Sequence, residues 1–198
     1  QTLDMTGLNI FCVIGADFDN DGDVDLAFST FGGANKIYLN DGSGGFTDTG
    51  LTMGSNSSYW LNAADVDNDG DIDLVDSTSA GVRVWKNDGA GNFTDTNQTI
   101  GPATSARATI LFDIDGDGDI DLVRGGAKAY ICKNDGTGNF GSPVLQLTTN
   151  GTATAFSAAD IDVDGDIDLA ISTNQGTTIW LNDGNGVLAD SKQVLGPN

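Results

Sequence analysis

Asp65-Val66-Asp67-Asn68-Asp69-Gly70-Asp71-Ile72-Asp73-Leu74 is one of four copies of the same stretch in a chain of 198 residues. The other copies open at Asp17, Asp113 and Asp160, so the starts lie 48, 48 and 47 residues apart, and each reads D-x-D-x-D-G-D-x-D-L. Five carboxylates within nine residues repel one another. Two unit charges about 4 Å apart cost roughly 4 kcal/mol at an effective dielectric of 20. The motif therefore calls for a cation.

The spacing says which one. Aspartates at loop positions 1, 3, 5 and 9 around a glycine at position 6 suit a hard ion that takes six to eight oxygens. The side-chain ligands expected are Asp17, Asp19, Asp21 and Asp25 in the first copy, and Asp65, Asp67, Asp69 and Asp73 in the second. Asp113, Asp115, Asp117 and Asp121 follow in the third, and Asp160, Asp162, Asp164 and Asp168 in the fourth. Position 7 (Asp23, Asp71, Asp119, Asp166) is expected to offer its main-chain oxygen, because the glycine lets the backbone turn sharply just before it. An all-oxygen set, in a chain with no histidine, disfavours zinc and copper. Magnesium keeps several waters in a tight octahedron, which leaves Ca²⁺, about four ions with one per repeat.

An EF-hand would place glutamate at position 12 between two helices. Here position 12 is Phe28, Asp76, Arg124 and Ile171, and flanks such as Leu169-Ala170-Ile171-Ser172-Thr173 carry no helical period. For any single copy, a solvated acidic turn without an ion is the competing reading. Four intact copies at near-constant spacing argue against it.

Composition is consistent with this. The chain holds 29 acidic and 8 basic side chains, for a net charge of −21, and twenty of the acids lie in the four loops. That balance is adverse to nucleic acid or anionic membrane as a partner. No apolar run approaches the ~20 residues of a membrane span, so no membrane insertion is expected. The opening Gln1, without methionine or a signal peptide, fits a mature or excised segment. Weak calcium loops fill where calcium is millimolar, so a secreted or cell-surface setting is expected. Cys12 and Cys132 occupy non-equivalent places in their repeats, so buried free thiols compete with a disulfide.

Around each loop the pattern is of short strands. Ile10-Phe11-Cys12-Val13-Ile14-Gly15-Ala16 leads into the first loop, and Tyr59-Trp60-Leu61-Asn62-Ala63-Ala64 into the second. A second strand follows each loop, then a variable connection, then a third strand. That third strand ends in Asn-Asp-Gly-x-Gly at Asn40, Asn87, Asn134 and Asn182. These residues tolerate the positive φ of a tight hairpin, and a fourth strand is expected to start at Phe46, Phe93, Phe140 and Leu188. Tyr38, Trp85, Cys132 and Trp180, two residues before each turn, read as core.

Four strands in 40–50 residues mark a propeller blade, whose faces are buried by neighbouring blades. The expected fold is all-β: one domain over 1–198, a β-propeller of four four-stranded antiparallel blades from repeats at about 8–54, 55–101, 102–149 and 150–198. A closed monomeric ring is favoured over a ring completed by further copies. Residues 1–7 are a candidate closing strand on the last blade, unless 187–196 supplies that strand alone.

Both motifs resemble the FG-GAP/VCBS repeats of the integrin α-subunit propeller and of many secreted bacterial and fungal proteins, across nearly the whole chain. The resemblance implies calcium loops between the first and second strands of each blade. It also implies rings that usually have seven blades, where this chain has four repeats.

Strand order puts the calcium loops and Asn-Asp-Gly turns on one face. The variable connections at 30–35, 77–81, 125–128 and 173–176 lie on the other, with 54–58, 101–106 and 149–154, and they form the candidate recognition face. Phe31, Tyr59 and Trp60 are candidate stacking platforms for a sugar, against the alternative that they pack between blades. Asn56, Asn92, Asn97 and Asn150 match glycosylation acceptors. The favoured function is a calcium-stabilised extracellular module that recognises a glycan or an extracellular protein. The alternatives are a polysaccharide lyase and a purely structural unit. With no histidine and no visible nucleophile–base pair, an enzyme is not expected.

Overall fold

A computed structural model describes residues 3–54, 57–102 and 104–196. Gln1 and Thr2 of the proposed closing strand, the acceptor Asn56, and parts of the connections at 54–58 and 101–106 lie outside the described residues. The described chain contains strands and no helix. The first blade is β1 (Ile10–Ala16), β2 (Asp25–Thr30), β3 (Lys36–Asn40) and β4 (Phe46–Asp48). The second is β5 (Ser58–Ala64), β6 (Asp73–Thr78), β7 (Gly81–Asn87) and β8 (Phe93–Asp95). Next come β9 (Thr109–Phe112), β10 (Asp121–Arg124), β11 (Ala129–Cys132) and β12 (Leu145–Leu147). The last blade is β13 (Ala153–Ala159), β14 (Asp168–Thr173), β15 (Gly176–Leu181) and β16 (Ala189–Leu195). Each set of four forms its own antiparallel sheet with neighbours in chain order, the arrangement of a four-bladed β-propeller.

The blades bury each other's faces, as sheets with two apolar sides require. Phe18, Ala27, Ile37 and Met53 of the first blade pack on Leu61, Leu74, Trp85 and Phe93 of the second. Phe18 meets Phe93 edge to face at 5.5 Å between ring centres. Val66, Val75, Val84 and Ile100 of the second blade meet Leu122, Cys132 and Phe140 of the third. Ile114, Val123, Ile131 and Leu147 of the third meet Leu169, Trp180 and Leu188 of the fourth. Interior strands pay no heed to alternation for that reason: β6 is buried at every residue.

Two expectations need correction in detail. In the third blade the fourth strand begins at Leu145, not at Phe140, which makes only an isolated bridge to Asn134. Pro143 interrupts the intervening segment and can donate no ladder hydrogen bond. The outer strand of the last blade is β16, so the 187–196 segment supplies it, while residues 3–7 carry no strand.

Closure by this chain alone is also not what the structure shows. The innermost strands pack in series, β1 on β5, β5 on β9, and β9 on β13, with no comparable packing of β13 on β1. Three interblade cores join the four blades among the described residues, and none joins the fourth blade to the first. Cys12 and Cys132 are free thiols, the latter buried.

Candidate metal centres and a candidate binding groove

Each acidic loop links the first two strands of its blade, so its ends are fixed by the sheet. The position 9 aspartate acts as a clamp. Asp25 accepts from the backbone N–H of Phe18 on one oxygen and of Asn40 on the other, both at 2.7 Å. Asp73 does the same with Val66 and Asn87, Asp121 with Ile114 and Asn134, and Asp168 with Ile161 and Asn182. All four of these aspartates are buried. Burial pushes Asp73 and Asp121 up to about 6, against the lowering effect of those N–H donors. The position 1 carboxylate closes the turn: Asp17 accepts from the N–H groups of Asp21 and Gly22, at 3.2 and 3.0 Å. Gly22 holds φ at +94°, a conformation that L side chains rarely adopt.

Positions 1, 3 and 9 converge. In every loop one carboxylate oxygen from each lies within 4.8 Å of the others: Asp17, Asp19 and Asp25; Asp65, Asp67 and Asp73; Asp113, Asp115 and Asp121; Asp160, Asp162 and Asp168. Position 5 is not part of these triads. Asp21, Asp69, Asp117 and Asp164 each turn one oxygen back to the N–H of position 7, at 2.9–3.0 Å. The position 7 carboxylates point away to the Asn-Asp-Gly turn. A Cβ on Gly42, Gly89, Gly136 or Gly184 would meet the side chain of Asp23, Asp71, Asp119 or Asp166.

A divalent cation fits this arrangement. The Oδ1 atoms of Asp19, Asp67 and Asp115, all at position 3, are buried without a hydrogen-bond partner. A buried carboxylate oxygen left bare costs on the order of 1–3 kcal/mol or more. The donor set around these oxygens is oxygen only, as Ca²⁺ prefers. Like-charge crowding also shows in Asp19, whose carboxyl is raised by burial first and then by Asp25 and Asp21.

Two loops carry a basic partner that sequence reading overlooked. Lys86 pairs with Asp67 at 2.6 Å, and Lys133 pairs with Asp115. Contact with Asp115 raises the Lys133 ammonium above its usual range. Leu39 and Leu181 hold the equivalent places in the first and fourth blades. The signal was available: Lys precedes the Asn-Asp-Gly turn in just those two repeats.

At the opposite ends of the inner strands lies a groove of about 300 Å³, lined by Phe11, Tyr59, Trp60, Arg107 and Thr154. Strand pairing shifts by one residue between Ile10 and Cys12, Ser58 and Trp60, and Ala153 and Ala155. Such bulges re-aim the extra residue, here Phe11, Tyr59 and Thr154. Arg107 is their counterpart in the third repeat, and the four positions lie 48, 48 and 47 residues apart, like the acidic loops. Ring centres of Phe11 and Phe31 are 5.4 Å apart, Phe11 and Tyr59 6.1 Å, Phe31 and Tyr59 6.0 Å. The structure thus brings Phe31, Tyr59 and Trp60 to one region and adds Phe11 and Arg107. Phe11, Phe31 and Trp60 remain exposed.

The Arg107 guanidinium sits 5.9 Å from the Tyr59 ring centre. Lys36, Arg83, Lys86, Lys133 and Lys192 are paired with carboxylates. Lys128 donates to Gln146, and the buried Arg124 donates to the carbonyls of Ile100, Pro102 and Thr104. Among the described residues Arg107 alone of the basic side chains has neither an ion pair nor a hydrogen bond.

Blades of this topology with an acidic loop between their first two strands define a repeat propeller. The FG-GAP-like repeat matches residues 17–75, 65–124 and 113–171, and the chain belongs to that family. No curated protein matches it in sequence. Among solved structures it resembles an Agrocybe aegerita lectin with specific recognition of non-reducing terminal N-acetylglucosamine. That likeness has 25% identity and a TM-score of 0.62, and covers 88% of this chain and 49% of the lectin. It also resembles BBS1N, solved in complex with ARL6DN (12% identity, TM-score 0.60, 93% and 53% covered). A third likeness is to the V. cholerae biofilm matrix protein Bap1 (21%, TM-score 0.55, 89% and 27% covered). The chain spans about half the length of the first two.

Proposed function

We propose that this chain is a non-enzymatic, calcium-stabilised extracellular recognition module whose inner-strand groove takes a saccharide bearing a carboxylate. The observation that carries this reading is the convergence of three bulge residues and Arg107 on one groove, with exposed aromatic faces beside an unpaired guanidinium. Aromatic rings stack on the apolar faces of sugars, and a planar guanidinium takes a carboxylate through two parallel hydrogen bonds. Arg107 is exposed and free of any carboxylate on a molecule of net charge −21, so it is available to an anionic ligand. The structural likeness to a lectin and to a biofilm matrix protein supports a saccharide and an extracellular setting. Four Ca²⁺ ions, held through the aspartate triads, would serve the scaffold, since the loops and the groove lie at opposite ends of the inner strands.

Calorimetric titration with uronate-containing and with neutral oligosaccharides tests the proposal. Binding of the acidic sugars is expected, weakened about tenfold or more by Arg107→Ala or Tyr59→Ala, with no release of unsaturated product. Neutral sugars bound as tightly as the acidic ones, or acidic-sugar affinity unchanged in Arg107→Ala, would overturn the carboxylate reading. Accumulating unsaturated product would favour the lyase.

A further inference from the structure

The fourth blade presents an interblade surface with nothing on it, and the first blade presents the matching counter-surface. Position 2 of the acidic loop is the gauge. Phe18, Val66 and Ile114 are 0%, 1% and 1% exposed because each inserts into the next blade, whereas Ile161 is 43% exposed. Met53 and Ile100, after their fourth strands, and Leu147, at the end of β12, are buried, while Val194 and Leu195 of β16 are half exposed. On the first blade, Leu26 stands where Leu74, Leu122 and Leu169 are fully buried, and is itself only half-buried. Val13, in the place of the buried Leu61, is more than half exposed.

The polar contacts repeat the pattern. Asn87 donates its Nδ2 to the carbonyl of Phe18, Asn134 to that of Val66, and Asn182 to that of Ile114, at 2.7–2.8 Å. Each bond joins the turn asparagine of one blade to position 2 of the blade before. Two members of this series are left over: the Nδ2 of Asn40, which reaches only Val24 of its own blade, and the carbonyl of Ile161. They sit on opposite ends of the arc and have complementary chemistry.

We infer that a second copy of this chain covers these surfaces, the fourth blade of each copy packing on the first blade of the other to close a ring of two copies. The partner's chemistry follows from the three interblade contacts within the chain, since the new contact continues them with the same residue types. Such a head-to-tail contact closes only if the rotation per blade brings the ends together, and otherwise runs on as a filament. Closure would also complete the groove, because Phe11, Tyr59, Arg107 and Thr154 of each copy would face one another around it. The N-terminal residues lie over Tyr38, whose hydroxyl reaches the Asp4 carbonyl, and leave Val13 uncovered.

Light scattering and sedimentation of the chain with calcium test this, without any saccharide and so independently of the proposed ligand. A mass of twice 20.4 kDa is expected. Ile161→Ser on one surface, or Val13→Ser on the other, is expected to weaken association about tenfold or more while leaving the melting of the separated chain unchanged, both side chains being exposed there. A monomer throughout up to ~100 μM, far above the dissociation constant of a specific stable interface, would overturn the inference. So would a dimer that neither substitution weakens, or a ladder of ever larger species in place of one closed pair.

Discussion

Asn134 donates its side-chain Nδ2 to the carbonyl of Val66 in the preceding blade at 2.7 Å, and to the carbonyl of Ile120 in its own blade at 3.1 Å. Its backbone N–H donates to Asp121, which also receives the N–H of Ile114. One turn residue therefore ties a hairpin, an acidic loop and the neighbouring blade. Because the amide is buried, replacing it leaves two carbonyls without a donor. Asn134→Ala is expected to cost about 2–4 kcal/mol, at roughly 1–2 kcal/mol per lost buried hydrogen bond. Urea unfolding checks this, and Asn40→Ala, whose amide makes one such bond within its own blade, should cost clearly less in the monomer.

Much of this was legible in the chain itself, for reasons that differ by residue. The loops and hairpin turns stand out because chemistry at fixed spacing leaves few alternatives, and they place β1 to β3 and their counterparts within a residue or two. Position 9 reads as a ligand from spacing, yet its double role as a buried clamp depends on N–H groups from a different hairpin. Phe11 and Arg107 were missed although their spacing matches that of the loops, because unlike side chains at one register hide a repeat. Ile161 is no less apolar than Val66, yet it is exposed where Val66 is packed on a neighbouring blade, and that difference in packing is not written in the residue itself.

Calcium removal is expected to lower the melting temperature substantially. An ion that binds only the folded form stabilises it by about 2.7 kcal/mol at one hundred times its dissociation constant. The bare position 3 oxygens make that gain available in the loops of Asp19, Asp67 and Asp115. Calorimetric melts in excess calcium and in chelator check the point. An unchanged melt would show that the triads carry no structural ion.

The loops should not bind equally. In the second and third blades an ammonium already sits on the position 3 carboxylate, and an incoming cation must displace it or share with it. Lys133→Leu, which installs the residue found in the first and fourth blades, is expected to tighten calcium at that loop about tenfold. Titration of the parent should resolve a tighter and a weaker class, with the substitution moving one site between them.

Asp76 gives a pH dependence separable from the loops. It is buried in β6, accepts from Ser58 and from Asn35 of the preceding blade, and its carboxyl is raised by burial from 3.8 to about 6. The folded chain therefore holds this proton more tightly than the unfolded one. Its contribution to stability is fully present below about 3.8, and is lost as pH rises through about 6. Above that the charged form is retained at a cost on the order of 3 kcal/mol, because each tenfold difference in proton affinity between the folded and unfolded chains is worth about 1.4 kcal/mol. Asp76→Asn keeps the shape and an acceptor for Asn35 while removing the charge. It is expected to be more stable than the parent at pH 7 by up to that amount, with the difference vanishing near pH 4. Denaturant unfolding of both chains between pH 4 and 7 measures the difference, in which the acidic loops common to both cancel. A constant difference across that range would mean Asp76 keeps its charge throughout.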